Sequence, residues 1–492
     1  MPKKKLPNII LIVLDTARAK NFSCYSYHRP TTPNIDRIAE EGVLYKWCFS
    51  PAPWTSPSHA SLFTGLYPSQ HGVDGDNFSL PESVLTIAEV LSQMGYITCG
   101  ISSNGLVSKL LGFARGYAEW HETYHIIDDG LALTGSKMQK IRQLVDLLRK
   151  GEILPVGQRL VNVAHKRIFG DVIRNATPAT YRSVRSLLRK VHQYISGGKQ
   201  PFFIFLNLMQ THDHYNPPRG FRGRFGPKNL PKYRHLVHSQ YQHYALKPLD
   251  PYAFDVLTTL YDEELAFADH MVGYIDCALK SLGIADETIF IITSDHGELL
   301  GEHGHYHHLF TLYNELIHVP LVIRYPRDFG IRGQDERLVQ TLDLFPTILE
   351  AIDCPFPAPA ASFSLLGRGK RRWAAAQLLD VGFKLRAMQE LNPSFDASSF
   401  PFNCSEMCLI TDDGWKVVDK SSGRTEIYNL KEDLHENNNL AQCPVIGNGI
   451  KGRLTSLFDQ VAAETGFRPG ARSPESLTSV KRSCRERAIR YV

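Results

Sequence analysis

The chain has 492 residues, 43% hydrophobic and 21% charged, with a net charge of +5. That length exceeds one ordinary core, so a large domain with a smaller companion is expected. No apolar run approaches the roughly 20 residues of a membrane helix, and no nucleic-acid-binding motif is present.

The first predicted element is a strand. Asn8 to Leu14 is β-branched and apolar without alternation, the pattern of a central strand covered on both faces. The basic start before it imitates a signal peptide, but the apolar run is short and ends at Asp15 with no small-residue cleavage site. Ligands gather at the carboxyl ends of strands in open α/β sheets, where Asp15 lies. A turn-capping aspartate is the plainer reading of that residue alone.

Thr32-Pro33-Asn34 opens a helix with Ile35, Ile38 and Ala39 on one face, ending at Gly42. The stretch Pro53 to Gly65 follows. Ser56 and Pro57 read as an N-cap and first helical position, and Ala60 to Phe63 continue the helix. Thr55, Ser56 and Ser58 then sit at its positive end, which favours anions. A hydroxyl there is a candidate nucleophile, although such helix starts are also ordinary structural caps. Glu82 to Met94 reads as a helix opened by Pro81 and stopped by Gly95. Tyr96 to Ile101 returns as a strand and leads into a polar loop. Within that loop Ser103 and Asn104 either line a pocket or are simply solvated.

Ser136 to Gly197 is mostly helical, with breaks near Pro155 and Pro178. Between Leu131 and Pro201 there are fourteen Lys and Arg and three acidic residues. This is a solvated face, or a surface attracting anionic substrate, lipid headgroups or polyanion. Phe202 to Leu208 is a second buried strand and leads to Gln210-Thr211-His212-Asp213-His214-Tyr215. A histidine just past a buried strand is an active-site candidate, so His212 is singled out, with His214 beside it. Pro217 to Pro251 reads as a long loop or lid.

Phe254 to Leu282 is a long helix whose apolar stripe is core. Thr288 to Ile292 is a third buried strand, ending in Thr293-Ser294-Asp295-His296-Gly297-Glu298. Beyond it lie four histidines within six positions, His303 to His308. Val319 to Ile323 is a further strand. After about Phe402 the chain turns to short strands, Leu409–Thr411, Trp415–Val418 and Glu426–Tyr428, and a helix, Val445–Glu464. The expected organisation is an α/β catalytic domain over 1–400 with a basic helical and loop insertion at 131–250. A small antiparallel α+β domain occupies 401–470, and a basic tail 471–492. Nine dispersed cysteines suit a reducing cytoplasm better than a disulfide framework.

Asp15, His212, and Asp295 with His296 all follow buried strands. With Thr55 they form a set of hard oxygen and nitrogen donors suited to one divalent ion: Mn²⁺, Mg²⁺, Ca²⁺ or Zn²⁺. Magnitudes show why an ion matters. A helix N-terminus contributes at most about 2 kcal/mol toward an anion. A bound metal lowers the pKa of water from about 15.7 to about 7, on the order of 12 kcal/mol. A nucleophilic Thr55 therefore requires the ligand set around it.

The segments Asn8–Asp15, Cys24–Ile38, Trp54–Gly72, Gly95–Gly116, Phe203–Pro218, Tyr261–Gly304 and Leu312–Pro326, with Asp413–Leu440 near the end, make the chain resemble the sulfatase family of the alkaline phosphatase superfamily. The resemblance implies a large central mixed β-sheet flanked by helices, with a smaller C-terminal antiparallel domain. It implies metal ligands at Asp15, Thr55, Asp295 and His296 and the nucleophile at Thr55. It also implies His212 and His308 acting on the oxyanion or leaving group. Ser103, Asn104, His59 and His214 are the expected substrate-binding groups.

The departures from the family pattern matter. Sulfatases place Cys or Ser, x, Pro, x, Arg at the nucleophile and convert its first residue to formylglycine. Here the five are Thr55, Ser56, Pro57, Ser58 and His59, and the residue after Asp15 is Thr16. Threonine cannot become formylglycine. The pattern is similar to a threonine branch resembling phosphoglycerol transferases and phosphodiesterases. The expected activity is a metal-dependent hydrolase or transferase of phosphoric esters. Its substrate is an anionic ester, whether small molecule, glycan or lipid headgroup, and a homo-oligomer is left open. The alternatives are a sulfuric ester hydrolase without formylglycine, and a silent member that binds anionic lipid or glycan.

Overall fold

The computed structural model describes residues 5–123, 176–213, 215–226, 251–355, 362–391, 394–398, 400, 402–443 and 448–469. Its strands are β1 (Asn8–Leu14), β2 (Val43–Phe49), β3 (Ile97–Ser102), β4 (Glu119–Glu122), β5 (Phe202–Leu208), β6 (Thr288–Thr293), β7 (Leu299–Leu300), β8 (Tyr306–His307), β9 (Leu321–Arg324), β10 (Gly333–Gln340), β11 (Trp373–Leu378), β12 (Glu406–Thr411), β13 (Trp415–Lys420) and β14 (Thr425–Asn429). The helices are α1 (Pro33–Glu41), α2 (Thr55–Thr64), α3 (Pro68–His71), α4 (Ile87–Gln93), α5 (Ala176–Ser196), α6 (Pro251–Ser281), α7 (Asn314–Ile317), α8 (Leu344–Ala351), α9 (Gly382–Leu391) and α10 (Asn448–Thr465).

Eight strands form one mixed sheet in the order β10-β2-β9-β6-β1-β5-β3-β4. β1 lies at its centre, parallel to β5 on one side and to β6 on the other. All seven residues of β1 are buried, as its unbroken apolar run requires for a strand covered twice. Ile9, Leu11 and Val13 pack with Trp54, Phe63, Leu91 and Phe345, toward α2, α4 and α8. Ile10, Ile12 and Leu14 pack with Ile38, Leu187, Leu260 and Val272, toward α1, α5 and α6. The stripe predicted in the long helix is core, with Leu257, Leu260, Tyr261, Leu265, Ala268, Val272, Ile275 and Leu279 all buried. The second sheet is antiparallel, β11-β12-β13-β14, and α10 packs on it through Leu454, Phe458 and Val461. Its first strand, β11, comes from well ahead of residue 401.

The long helix α6 begins at Pro251, three residues ahead of the expected Phe254, and two further helix starts differ in their caps. α2 begins at Thr55 with Trp54 as N-cap, so Pro57 is the third helical residue rather than the first. Ser56 caps nothing, and its hydroxyl is buried without a hydrogen-bond partner. Proline is still tolerated because the first helical N–H groups have no intrahelical acceptor. α4 begins at Ile87, not at Glu82. Thr86 takes the N-cap, accepting from the Glu89 N–H, while the Glu89 carboxylate accepts the Thr86 N–H at 2.8 Å. That reciprocal box defines a start that Pro81 only imitated. Most of the 131–250 insertion lies outside the described residues; α5, within it, packs on the sheet.

Candidate active site

β1, β3, β5 and β6 run parallel, so their carboxyl ends share one edge of the sheet. Asp15, Asn104, His212, Asp295 and His296 follow those ends. Hydroxyls stitch the exits together. Ser294 donates to the Leu14 carbonyl at 2.6 Å, Thr211 to the Asp15 carbonyl at 2.5 Å, and Thr16 to the Thr211 carbonyl at 2.6 Å. Thr16 adopts φ of +59° in this turn, a conformation non-glycine residues rarely take.

Each carboxylate is held by one oxygen. Asp15 Oδ2 accepts from Asn104 Nδ2 at 2.7 Å, with Asn207 Nδ2 at 3.5 Å. Asp295 Oδ1 accepts the His296 N–H at 2.9 Å and the Thr16 N–H at 3.3 Å. The other oxygens, Asp15 Oδ1 and Asp295 Oδ2, are buried without a hydrogen bond. His296 Nε2 lies 3.9 Å from the first and 3.5 Å from the second. Its Nδ1 is 2.9 Å from the Gly297 carbonyl. Donation there leaves the Nε2 lone pair pointing into the cluster. Burial and the neighbouring Asp295 raise the pKa of Asp15. Against its own burial, Asp295 is held low by His296 and His59.

α2 brings Thr55 to this cluster, with Oγ1 3.2 Å from His296 Nε2. Ser58 ties the helix down by donating to the Asp295 carbonyl. His59, one turn on, places Nδ1 3.0 Å from the Thr55 carbonyl and 3.3 Å from Asp295 Oδ2. Burial lowers its pKa, but Asp295 and Asp15 reverse that, and the net shift is upward. His59 is fully enclosed, with Phe63 and Phe205 edge-on to its ring. His59 braces α2 against Asp295.

A second wall faces the first. His308 lies 4.5 Å from the His296 ring and 5.2 Å from that of His212, centroid to centroid. Burial opposes charge on His212, but Asp213, 2.6 Å from Nδ1, pushes its pKa up to about 10. Burial and the His212 charge push His308 down to about 3. The wall thus pairs a cationic imidazole with a neutral one. His308 Nδ1 is 3.1 Å from Glu298 Oε1, and burial raises Glu298 to about 7.

The structure brings Asp15, Thr55, His59, Asn104, His212, Asp295, His296 and His308 into one neighbourhood. Ser103 is a correction. Its hydroxyl is engaged by Thr123 at 3.0 Å and Ser183 at 2.9 Å, joining β3 to α5 instead of facing the cluster. Asn104 tethers Asp15 through Nδ2. His214 lies outside the described residues. Asp213, Glu298, His307 and Asn207 were not singled out from the sequence, although all but Asn207 neighbour residues that were. Lys384 had no signal at all. It reaches the second wall from α9, where burial lowers its pKa and Asp213 and Glu298 oppose that.

A model of the sulfatase family matches residues 7–354. The chain is 25% identical over 459 residues to "Uncharacterized sulfatase YidJ" of Escherichia coli strain K12, covering 89% of this chain and 83% of that protein. It shares its fold with BT4656, solved in complex with its substrate D-glucosamine-2-N,6-O-disulfate, at TM-score 0.67 and 19% identity, covering 95% and 100% of the two chains. It also shares it with the phosphonate monoester hydrolase of Agrobacterium radiobacter, at TM-score 0.64 and 20% identity, covering 96% and 98%. The family match spans the acid-bearing strand ends, the Thr55 helix and the histidine wall, and the chain belongs to the sulfatase family.

Proposed function

We propose that this sulfatase-family ester hydrolase acts on phosphoric esters, as a metal-dependent hydrolase or transferase with Thr55 as its nucleophile. The observation that carries the reading is the pair of buried carboxylate oxygens without hydrogen bonds, Asp15 Oδ1 and Asp295 Oδ2, facing His296 Nε2 beside Thr55 Oγ1. Two buried carboxylate oxygens without hydrogen bonds, met only by imidazole nitrogens 3.3 to 3.9 Å away, are costly unless a further cation joins them. The set of two carboxylates, one imidazole and one hydroxyl fits a hard or borderline divalent ion, Mn²⁺, Mg²⁺, Ca²⁺ or Zn²⁺. When bound, such an ion lowers the pKa of a hydroxyl and offsets charge on the ester.

The chain's own groups do the rest. α2 presents the Thr55 hydroxyl at a helix N-terminus, where outward N–H groups favour a developing oxyanion. His296 Nε2, 3.2 Å from Thr55 Oγ1, would hold the ion beside that hydroxyl, whose proton, its pKa lowered, would pass to solvent. His212, protonated at neutral pH, supplies an N–H to the ester oxygen or the departing oxygen. Thr55 forms a bond to phosphorus as the alcohol leaves; water or a second alcohol then releases the group from Thr55.

Phosphoric esters are favoured over sulfuric ones by the nucleophile. A formylglycine hydrate sheds sulfate by collapsing to an aldehyde, whereas a threonyl sulfate has no such exit. The phosphonate monoester hydrolase among the structural neighbours is consistent with this. The sulfated sugar held by BT4656 keeps a sulfuric ester as the second reading. The unpaired cysteines among the described residues suit a reducing compartment such as the cytoplasm.

The test is a panel of aryl phosphodiester, phosphonate, phosphomonoester and sulfate substrates supplied with Mn²⁺. Thr55→Ala is expected to lose roughly 10³-fold or more in kcat on the preferred substrate while melting like the wild type. Unchanged turnover would remove Thr55 from the mechanism. No turnover and no bound metal in the wild type would favour the silent, anion-binding reading.

A further inference from the structure

A second set of ligand atoms converges far from Thr55 in function, at the seam between the two sheets. His303 lies in the turn Glu302–Gly304, Glu315 in α7, and Glu436 in the loop after β14. Their ligand atoms all lie within 4.8 Å of one another. Glu315 and Glu436 are each 3% exposed. His303 Nε2 and Glu315 Oε2 have no hydrogen-bond partner, and the two face each other at 3.4 Å. Glu436 Oε1 is 2.6 Å from Lys416 Nζ but off the hydrogen-bonding direction. Its Oε2 accepts the Asn314 N–H at 2.6 Å, which aims the carboxylate. A second imidazole stands by, with His435 Nδ1 3.4 Å from Glu315 Oε1.

The geometry points to a second divalent-cation site, formed by His303, Glu315 and Glu436 with His435 alongside, that takes zinc or an ion of similar size and donor preference. Two imidazoles and two carboxylates are a common zinc donor set. Tetrahedral bonds of about 2.1 Å put neighbouring ligand atoms roughly 3.4 Å apart, the spacing from Glu315 Oε2 to His303 Nε2; His435 Nδ1 stands equally far from the other oxygen, Oε1. Among the described residues Lys416 is ion-paired with Glu436 Oε1 at 2.6 Å, and no lysine or arginine pairs with Glu315 Oε2. Lys416 also donates to the Leu312 carbonyl at 2.7 Å and Asn314 Oδ1 at 3.1 Å. Arg18 is paired with Glu302 at 2.6 Å. Lys20, 3.5 Å from Glu315 Oε1, has a 31% exposed side chain and can swing into water. His303 and Glu436 both take φ of +54°, so the chain holds two of these side chains from backbone conformations that L-residues seldom adopt. An ion here staples the segment leading to His307 and His308 onto the small sheet. It shares no donor with Asp15, Asp295 and His296.

The experiment is metal analysis of purified full-length chain, incubated with zinc and then dialysed into metal-free buffer. In an Asp15→Asn/Asp295→Asn background the first cluster is disabled, and one zinc per chain is expected to remain. Adding His303→Ala and Glu315→Gln removes it. His435→Ala alone, at a half-exposed position that folding tolerates, weakens zinc binding by roughly 10–100-fold. Zinc-free background protein, as when a water fills the seam, overturns the proposal, and so does zinc that survives both sets of seam substitutions. Failure of the active-site reading shows separately, as equal metal content in wild type and background.

Discussion

Asn104 illustrates how much of the site rests on single polar tethers. Its Nδ2 holds Asp15 Oδ2 and thereby directs Oδ1 toward His296. Asn104→Ala is expected to weaken metal binding by roughly 10–100-fold, the usual penalty for losing a group that orients a ligand; a titration of the apo protein with Mn²⁺ measures it. Two histidines outside the site contribute to the acid limb of stability. Burial holds His71 at about 3 and His318 at about 4, both below the ordinary value of 6.5. Both are therefore neutral in the fold, and the unfolded chain binds the proton first. Stability from each is present above about pH 6.5 and is lost as pH falls toward the folded value. The slope is about 1.4 kcal/mol per pH unit for each histidine. Urea melts at pH 7, 6 and 5 check this, and His318→Gln is expected to flatten the slope by one such increment.

At the scale of elements, the sheet edge works because four parallel strands end together and their exits are locked. At the opposite edge, the turn at Gly116 seats the start of β3, its carbonyl accepting from the Thr98 hydroxyl at 2.7 Å. Its φ is +79°, and a Cβ there would lie 2.1 Å from the Glu89 backbone nitrogen. Gly116→Ala therefore forces α4 away from the turn and is expected to cost about 3 kcal/mol, read as a lowered urea midpoint. α2 is the other decisive element. All ten of its residues are buried, so it is positioned on every side, and Thr55 is placed by packing as well as by the Ser58 hydrogen bond to Asp295. The helix start was misjudged because Ser56-Pro57 has the local form of a cap, whereas packing of Trp54 against Phe78 and Phe383 sets the actual boundary.

For the whole molecule, the proposed metal binding would couple to folding. An ion that binds the folded cluster of Asp15, Asp295 and His296 and not the unfolded chain stabilises it by about 2.7 kcal/mol at 100 times its Kd. Chelator treatment is expected to lower Tm, and Mn²⁺ to restore it in the wild type but not in Asp295→Asn. No helix among the described residues is long and apolar enough to cross a membrane.

The amino-acid sequence by itself determined the elements whose residues face one kind of environment throughout. β1, β5 and β6 are buried on both faces, so an unbroken apolar run specifies them without reference to neighbours. Asp15, Asp295 and His296 were legible for the same reason, because each abuts such a run. Tertiary structure alone decided the rest. Ser103 turns toward Thr123 and Ser183, Asn104 holds a carboxylate, and Lys384 arrives at the histidine wall from a helix 76 positions beyond His308. Those placements depend on which strands and helices lie side by side, and contacts between segments distant along the chain leave no periodicity in either one.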